Sequence, residues 1–462
     1  MPESQPVSPS HSRGEHPVPR RLRRARIALY AYFFVTGSVI SIWASRIPAI
    51  KRQTGVDEGE LSIALLALAL GGVVTIRLMG GLLDRFNGRI IVPAAALVAS
   101  IALVAPGYAT NLQQLTLFLL LLGSSQALLN VSANLQAARL QREWGRPIMV
   151  SFHAVCSIGG GLGAIAGTLC VRAGLDVTTT FIGASSVLTL LSLLGRKWLL
   201  DTPALAAQRA PARPRFRRFA LPRGRILLLG VLALCCMLAE GAANDWSALY
   251  TREMVGGSET AASATYAAYA TMMAAGRLIG DRLVALFGPV NVVRGGSLLA
   301  SFGLFFALVL PLQIPVIIGF ALVGIGLSGI VPQVFNAAAN DNPERSGRDL
   351  STVTAIGYFG PLLGPPTIGF LADRAGLSVA LLFPASLVLF IALGAGTLRT
   401  AEHREPRALR RSASSKSLRT GSMRLWVPPL RHLSENINGH RSEQSEETLP
   451  NNNHHDSGRE TR

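Results

Sequence analysis

GTLCVRAGLDVTTTF, residues 167–181, and GFLADRAGLSVALLF, residues 369–383, share Gly, Leu, Arg, Ala, Gly, Leu, Val and Phe in one register. Each stretch ends one apolar run and opens the next through a tight turn, so the same connection is used twice. Three further pairs recur at a similar offset. Arg77-Leu78-Met79-Gly80 matches Arg277-Leu278-Ile279-Gly280, Trp43-Ala44-Ser45 parallels Trp246-Ser247-Ala248, and Asn134 parallels Asn336. Each match is weak alone. Four in one order describe a chain built twice over, with each unit repeated in parallel.

What is repeated is a set of long apolar runs. A helix needs about 20 mostly apolar residues to cross a bilayer. Twelve runs approach or exceed that length: 27–45, 61–83, 90–108, 112–138, 149–172, 177–196, 226–250, 261–286, 290–311, 314–339, 350–372 and 377–398. Unbroken runs exclude the alternating pattern of barrel strands, and helices satisfy their own backbone groups in lipid. The expected fold is an all-α membrane protein with twelve transmembrane helices in two pseudo-symmetric six-helix bundles. The expected divisions are a disordered N-terminus (1–24), a first bundle (25–197), a basic linker (198–225), a second bundle (226–399) and a disordered tail (400–462). Composition agrees: 49% of the 462 residues are hydrophobic and only 15% are charged. Cys156, Cys170, Cys235 and Cys236 fall inside apolar runs and read as small core residues, not a disulfide framework. The first apolar run is long enough to stay in the membrane, which argues against a cleavable signal.

The formal charge of +18 raises nucleic acid as a partner, and its placement argues against it. Arg20, Arg21, Arg23, Arg24 and Arg26 precede span one, and Arg139, Arg142 and Arg146 lie between spans four and five. Nine Lys and Arg between 196 and 225 join spans six and seven, and Arg345 and Arg348 join ten and eleven. These loops share one side of a twelve-span chain. On the other side, residues 106–113 and 312–313 carry no charge. The loop after span one is mixed, with Lys51, Arg52, Asp57, Glu58 and Glu60. Positive loops face the cytoplasm. Both termini are therefore expected inside, in a multi-pass protein of the cell (inner) membrane.

GGLLDRFNGR, residues 80–89, sits where span two meets the loop to span three. It resembles the signature Gly-x-Leu-x-Asp-Arg-x-Gly-Arg-Arg of the major facilitator superfamily through Gly80, Leu82, Asp84, Arg85 and, displaced by one residue, Gly88 and Arg89. The second-half counterpart, GRLIGDRLVALFG (276–288), is degenerate: Gly280 and Arg282 remain, and Asp281 lies three residues early. In the family the motif controls conformation. The resemblance implies that Asp84 faces the start of span eleven near Ser351 and Thr352, where a helix N-terminus favours an anion. SIWASRIP (41–48), GRPIMVSFHAVCSIGG (145–160) and EGAANDWSA (240–248) resemble a narrower bacterial branch. That branch includes a membrane protein associated with metabolism of rhizopine, an inositol-derived amine. The resemblance covers about 25–400.

Charged groups at mid-bilayer cost at least about 2.5–3.5 kcal/mol, so each one is a functional candidate. Glu240 lies near the middle of span seven, Asp245 another turn out, and Asn244 between them. Either acid suits a proton carrier or a substrate contact; the alternative is a structural carboxylate paired with an arginine. His153 on span five, with Gln126, Asn130 and Asn134 on span four, is a second candidate cluster for a hydroxylated or amide substrate. Arg77 and Arg277 read as snorkelling towards the interface. Trp43 and Arg46 share a face at the end of span one. Either Trp43 is an interfacial anchor and Arg46 pairs with Asp57 or Glu60, or both line an outer vestibule. Trp246, the counterpart of Trp43 in the second half, is a further substrate candidate.

Spans five and eleven are rich in glycine, and Pro361, Pro365 and Pro366 interrupt the second, as suits helices that rock on their neighbours. Span five has no proline, so the Gly-Pro signature of the superfamily's proton antiporters is missing. No metal spacing, Walker loop, nucleophile elbow or zincin helix occurs. The expectation is a monomeric non-enzymatic transporter without cofactor, whose partners are the bilayer, a small polar solute and protons. Efflux of hydrophobic or cationic compounds, and a non-transporting sensor, are the alternatives.

Overall fold

The computed structural model describes residues 19–85, 87–145, 148–201, 224–342 and 345–399, with backbone alone at 77–85 and 347. The expected disordered tail, most of the basic linker and residues 1–18 lie outside these residues, whereas Arg20–Arg24, expected to be disordered, instead form the first turns of the opening helix. The helices of the first half are α1 (Arg20–Ser45), α2 (Ile47–Thr54), α3 (Glu58–Arg85), α4 (Gly88–Ala102), α5 (Leu112–Trp144), α6 (Met149–Arg172) and α7 (Val177–Gly195). Those of the second half are α8 (Gly224–Glu253), α9 (Glu259–Phe287), α10 (Pro289–Val309), α11 (Gln313–Leu327), α12 (Ile330–Ala339), α13 (Ser346–Gly357), α14 (Phe359–Ala375), α15 (Leu377–Ala380) and α16 (Leu382–Gly394).

The twelve expected spans are all present as helix. Spans ten, eleven and twelve are each split in two, and one rule accounts for all three breaks. Pro332, Pro361 and Pro384 stand four residues after Ser328, Gly357 and Ala380, where the chain leaves one helix for the next. A proline removes an N–H, and its ring meets the carbonyl four residues back. Ten helical segments among the described residues are long and apolar enough to cross a membrane. The other two spans are eight, which carries Arg277, Asp281 and Arg282, and eleven, which its prolines divide. They also pack across the molecule: α9 on α6, and α14 on α3. The helices with the weakest membrane signal therefore form the seam between the halves.

Packing within the halves is duplicated. Span one lies on five and six, two on four, and three on four and six; seven lies on eleven and twelve, eight on ten, and nine on ten and twelve. The opening repeat falls on the turns that end α6 and α14. Gly174 and Gly376 close these helices with φ of 75° and 82°, a conformation open to glycine because it has no Cβ. Asp176 then caps α7 by accepting from the Thr179 N–H at 2.8 Å. Large apolar side chains such as Leu393, Leu286 and Ile314 are 70–77% exposed, as suits a surface solvated by lipid and not by water.

Candidate functional site

The two ends of the molecule are held differently. At the arginine-rich end, each described ion pair stays within one half. Arg21 pairs with Glu143 at 3.0 Å, Arg89 with Asp201 at 3.0 Å, and Arg225 with Asp341. At the opposite end the pairs cross. Lys51 Nζ lies 2.6 Å from Glu58 of its own half and 2.6 Å from Glu253 at the end of span seven. Arg52 pairs with Glu259 at the start of span eight. Thr168 and Ser263 share a hydrogen bond of 3.0 Å nearby, and Gly369 closes onto Ser62. Burial alone would lower the Lys51 pKa, but hydrogen bonds to Glu253 and Glu58 outweigh it and hold the ammonium above its ordinary value. The described conformation is latched at this end.

Between the ends, a continuous polar chain links span one, span seven, span eight and span five. The single Tyr266 O–H is shared between Ser41 Oγ at 3.1 Å and the more distant Asn244 Oδ1 at 3.5 Å. Asn244 Nδ2 donates to the Glu240 carbonyl at 2.7 Å and to the Tyr269 hydroxyl at 3.4 Å, and Tyr269 donates to the same carbonyl at 3.2 Å. Glu240 Oε1 accepts from Arg277 Nη2 at 2.6 Å, and Arg277 Nη1 reaches Ser157 Oγ at 3.4 Å. The chain begins and ends in the first half and has its charges in the second. Glu240 and Arg277 keep 24% and 39% of their side-chain surface exposed. Arg277 thus points at its carboxylate rather than snorkelling to the interface, and Glu240 is the arginine-paired carboxylate of the alternatives above. Among the described residues Asp245 is half-buried and makes no hydrogen bond or ion pair.

Several other expectations are redrawn. Trp43 and Arg46 are 1% and 2% exposed, so they line no vestibule, and Trp43 anchors no interface. Trp43 packs on Phe181 with ring centroids 6.4 Å apart. Arg46 Nη2 donates to the Leu175 carbonyl at 2.8 Å and pairs with neither acid. Asp57 and Glu60 instead cap each other across the first turn of α3, at 3.2 and 2.7 Å. Trp246 is fully buried. Of the cluster His153, Gln126, Asn130 and Asn134, only the two asparagines are joined: His153 meets Phe33 edge-on at 5.4 Å, Gln126 donates to the Thr36 carbonyl, and Asn134 donates to Asn130 Oδ1 at 2.6 Å. Asn340 donates to Asn336 Oδ1 in the same manner at 2.8 Å. In the motif, the side chains of Gly80, Asp84 and Arg85 lie outside the described residues. Gly88 opens α4 behind the cap Asn87, and Arg89 holds Asp201 and the Lys197 carbonyl. Gly280 has open space around it, and Asp281 and Arg282 are exposed without a partner among the described residues.

The tyrosines, Ser41 and the latch were not singled out from the sequence. Tyr266 and Tyr269 stand three apart on the least apolar span, a spacing that puts both on one face. The latch had a signal in the charged loops after spans one and seven, which carry Lys51, Arg52, Glu58, Glu253 and Glu259.

This fold and seam define a multi-pass helical membrane transporter. The sequence profile of the Major Facilitator Superfamily matches residues 28–348 and 255–436. An uncharacterised MFS-type transporter of Yersinia pestis is 32% identical over 364 residues, covering 79% of this chain and 93% of that protein. Membrane protein MosC of Rhizobium meliloti is 31% identical over 360 residues, covering 78% and 86%. Among solved structures, a mutant of the nucleoside transporter NupG superposes with a TM-score of 0.65 at 16% identity, covering 82% of this chain and all of that one. The chain belongs to the major facilitator superfamily.

Proposed function

We propose that the chain is a secondary active transporter that moves a small polar organic solute by alternating access with protons as the coupling ion. The solute class is a sugar, a polyol or an inositol-like compound. The observation that carries this reading is the polar chain from Ser41 through Tyr266, Asn244, Tyr269, Glu240 and Arg277 to Ser157. It offers hydroxyl, amide, carboxylate and guanidinium groups from both halves at mid-membrane, where a hydroxylated solute exchanges hydrogen bonds with its site as the halves move. The relation to the rhizopine-associated group favours inositol-like solutes within that class.

The positive-inside rule places the arginine-rich end, both termini and the linker in the cytoplasm. On that orientation the latched end is extracytoplasmic and the conformation faces inward. Asp84 would act in the opposite state, closing the cytoplasmic side against span eleven, so Asp84→Asn should cut transport without impairing insertion. A carboxylate without a cationic partner sheds its charge only by taking a proton, so coupling falls to Asp245. Glu240, already matched by Arg277, orients the solute. Efflux of cationic compounds would rest on Asp245 alone, since Glu240 offers no free counter-charge.

A thermal-shift screen of the purified monomer against sugars, polyols, myo-inositol, an inosamine and cationic drugs tests the solute class. Stabilisation by a hydroxylated solute that disappears in Arg277→Gln supports the reading. Stabilisation by cationic drugs alone would overturn it. Deleting 401–462 separates this reading from the sensor: a transporter should retain its flux, whereas a non-transporting, tail-dependent sensor should show none and lose its signal.

A further inference from the structure

At the arginine-rich end of the first half lies a cavity of about 480 Å³, away from the seam between the halves. Five cations line it: Arg21 and Arg24 from the start of α1, Arg89 from the start of α4, Arg139 from α5, and Lys197 after α7. Two carboxylates answer them. Asp201 binds Arg89, and Glu143 is shared by Arg21 at 3.0 Å and Arg139 at 3.1 Å. Five cations against two acids leave three positive charges in excess. The side chains of Arg24 and Lys197 make no hydrogen bond or ion pair among the described residues.

The cavity has an amphipathic build. Leu199 and Leu200, 4% and 3% exposed, form its apolar floor, and Trp198 is 42% exposed at its rim. Immediately membrane-ward of the cations, Ile27, Ile90 and Leu194 are 56%, 63% and 65% exposed. A ring of guanidinium forks matches phosphate oxygens two at a time. An exposed indole and apolar side chains below that ring suit the glycerol and acyl chains attached to such a phosphate, and basic pockets between spans on this face are where anionic headgroups bind.

We propose that this cavity is a binding site for the phosphate headgroup of an anionic phospholipid, gripped by Arg24 and Lys197 with Arg21, Arg89 and Arg139 around it. Because Arg89 and Asp201 form part of its wall, the bound lipid braces the loop after span two against the end of span six. The site is independent of the solute.

The test is a thermal-shift and native mass-spectrometry titration of the full chain with cardiolipin, phosphatidylglycerol, phosphatidylcholine and inorganic phosphate. Cardiolipin and phosphatidylglycerol are expected to bind and raise the Tm, and phosphatidylcholine to do neither. In Arg24→Gln/Lys197→Gln the apparent affinity for cardiolipin should fall roughly twenty-five-fold, the product of about fivefold for each cation removed near an anionic surface. The Tm without lipid should stay unchanged, and each single variant should show the intermediate loss. Equal lipid response in variant and parent would overturn the site. An equal shift with millimolar inorganic phosphate would assign the cavity to a free phosphate compound instead of a lipid.

Discussion

Spans one and seven hold equivalent places in the two halves and have been put to different uses. With Trp43 aligned on Trp246, Glu240 falls where span one has Gly37. A Cβ on Gly37 would lie 2.0 Å from the Cys156 carbonyl oxygen, so span one touches span five backbone to backbone there. A Cβ on Gly241, beside Glu240, would find its nearest neighbour, Pro361 Cα, at 3.9 Å. The first half is closed by small residues at the level where the second half opens a space and fills it with a carboxylate. Symmetry is kept where helices must pack, and broken where the second half places its Glu240–Arg277 pair.

The largest expected effect comes from separating Glu240 and Arg277. Removing one member of a buried pair costs about 3–5 kcal/mol; partial exposure reduces that here, and a loss of at least tenfold in solute exchange is expected for Glu240→Gln and Arg277→Gln. The double variant should be more thermostable than either single one, because no lone charge remains in the span. Next, Gly37→Ala should lower stability by about 1–3 kcal/mol through overpacking, whereas Gly241→Ala should be close to neutral. A melting curve for each variant would break the comparison if the two behaved alike.

Lys51→Gln removes two hydrogen bonds to carboxylates, of which only the one to Glu253 joins the halves; that bond is worth about 1.5–3 kcal/mol. The substitution should shift the equilibrium towards opening at the latched end by roughly ten- to a hundredfold, read by spin-label distances across Lys51 and Glu253. The pH sign follows from the raised Lys51 pKa. The latch is intact below the ordinary lysine value and is lost only as pH rises through the higher folded one. Lys51 therefore contributes no pH dependence between pH 5 and 8, and any seen there belongs to carboxylates or histidine. The smallest effects are expected at Asn134→Ala and Asn340→Ala. Each removes a like pair of hydrogen bonds to the asparagine four residues back, on exposed faces where the pair contributes about 0.5–1.5 kcal/mol in all, and the two should match.

The scaffold was legible because lipid leaves helices little freedom. Apolar length gave the spans, and the repeat gave which of them are equivalent. Pro361 gave the break in span eleven but not those in ten and twelve, and Pro365 and Pro366 stand inside an unbroken helix. The site was legible only in part. Glu240, Asn244 and Asp245 announced themselves as polar residues in an apolar run. Arg277 did as well, but its partner is 37 residues away on another helix, and sequence spacing carries no signal for that distance. Arg46 misled for a similar reason: acids nearby in the chain already capped their own helix, and its acceptor, the Leu175 carbonyl, is a backbone atom that any residue would supply.

The central claim is that the halves share a scaffold while the second carries the chemistry, with solute held at Glu240–Arg277 and the proton at Asp245. Asp245→Asn in proteoliposomes tests it most directly, using the solute that the shift screen returns. Counterflow should survive at near-parental rate, while uptake driven by a pH gradient should be abolished. Gradient-driven uptake retained in Asp245→Asn, or counterflow lost together with it, would contradict the division of roles.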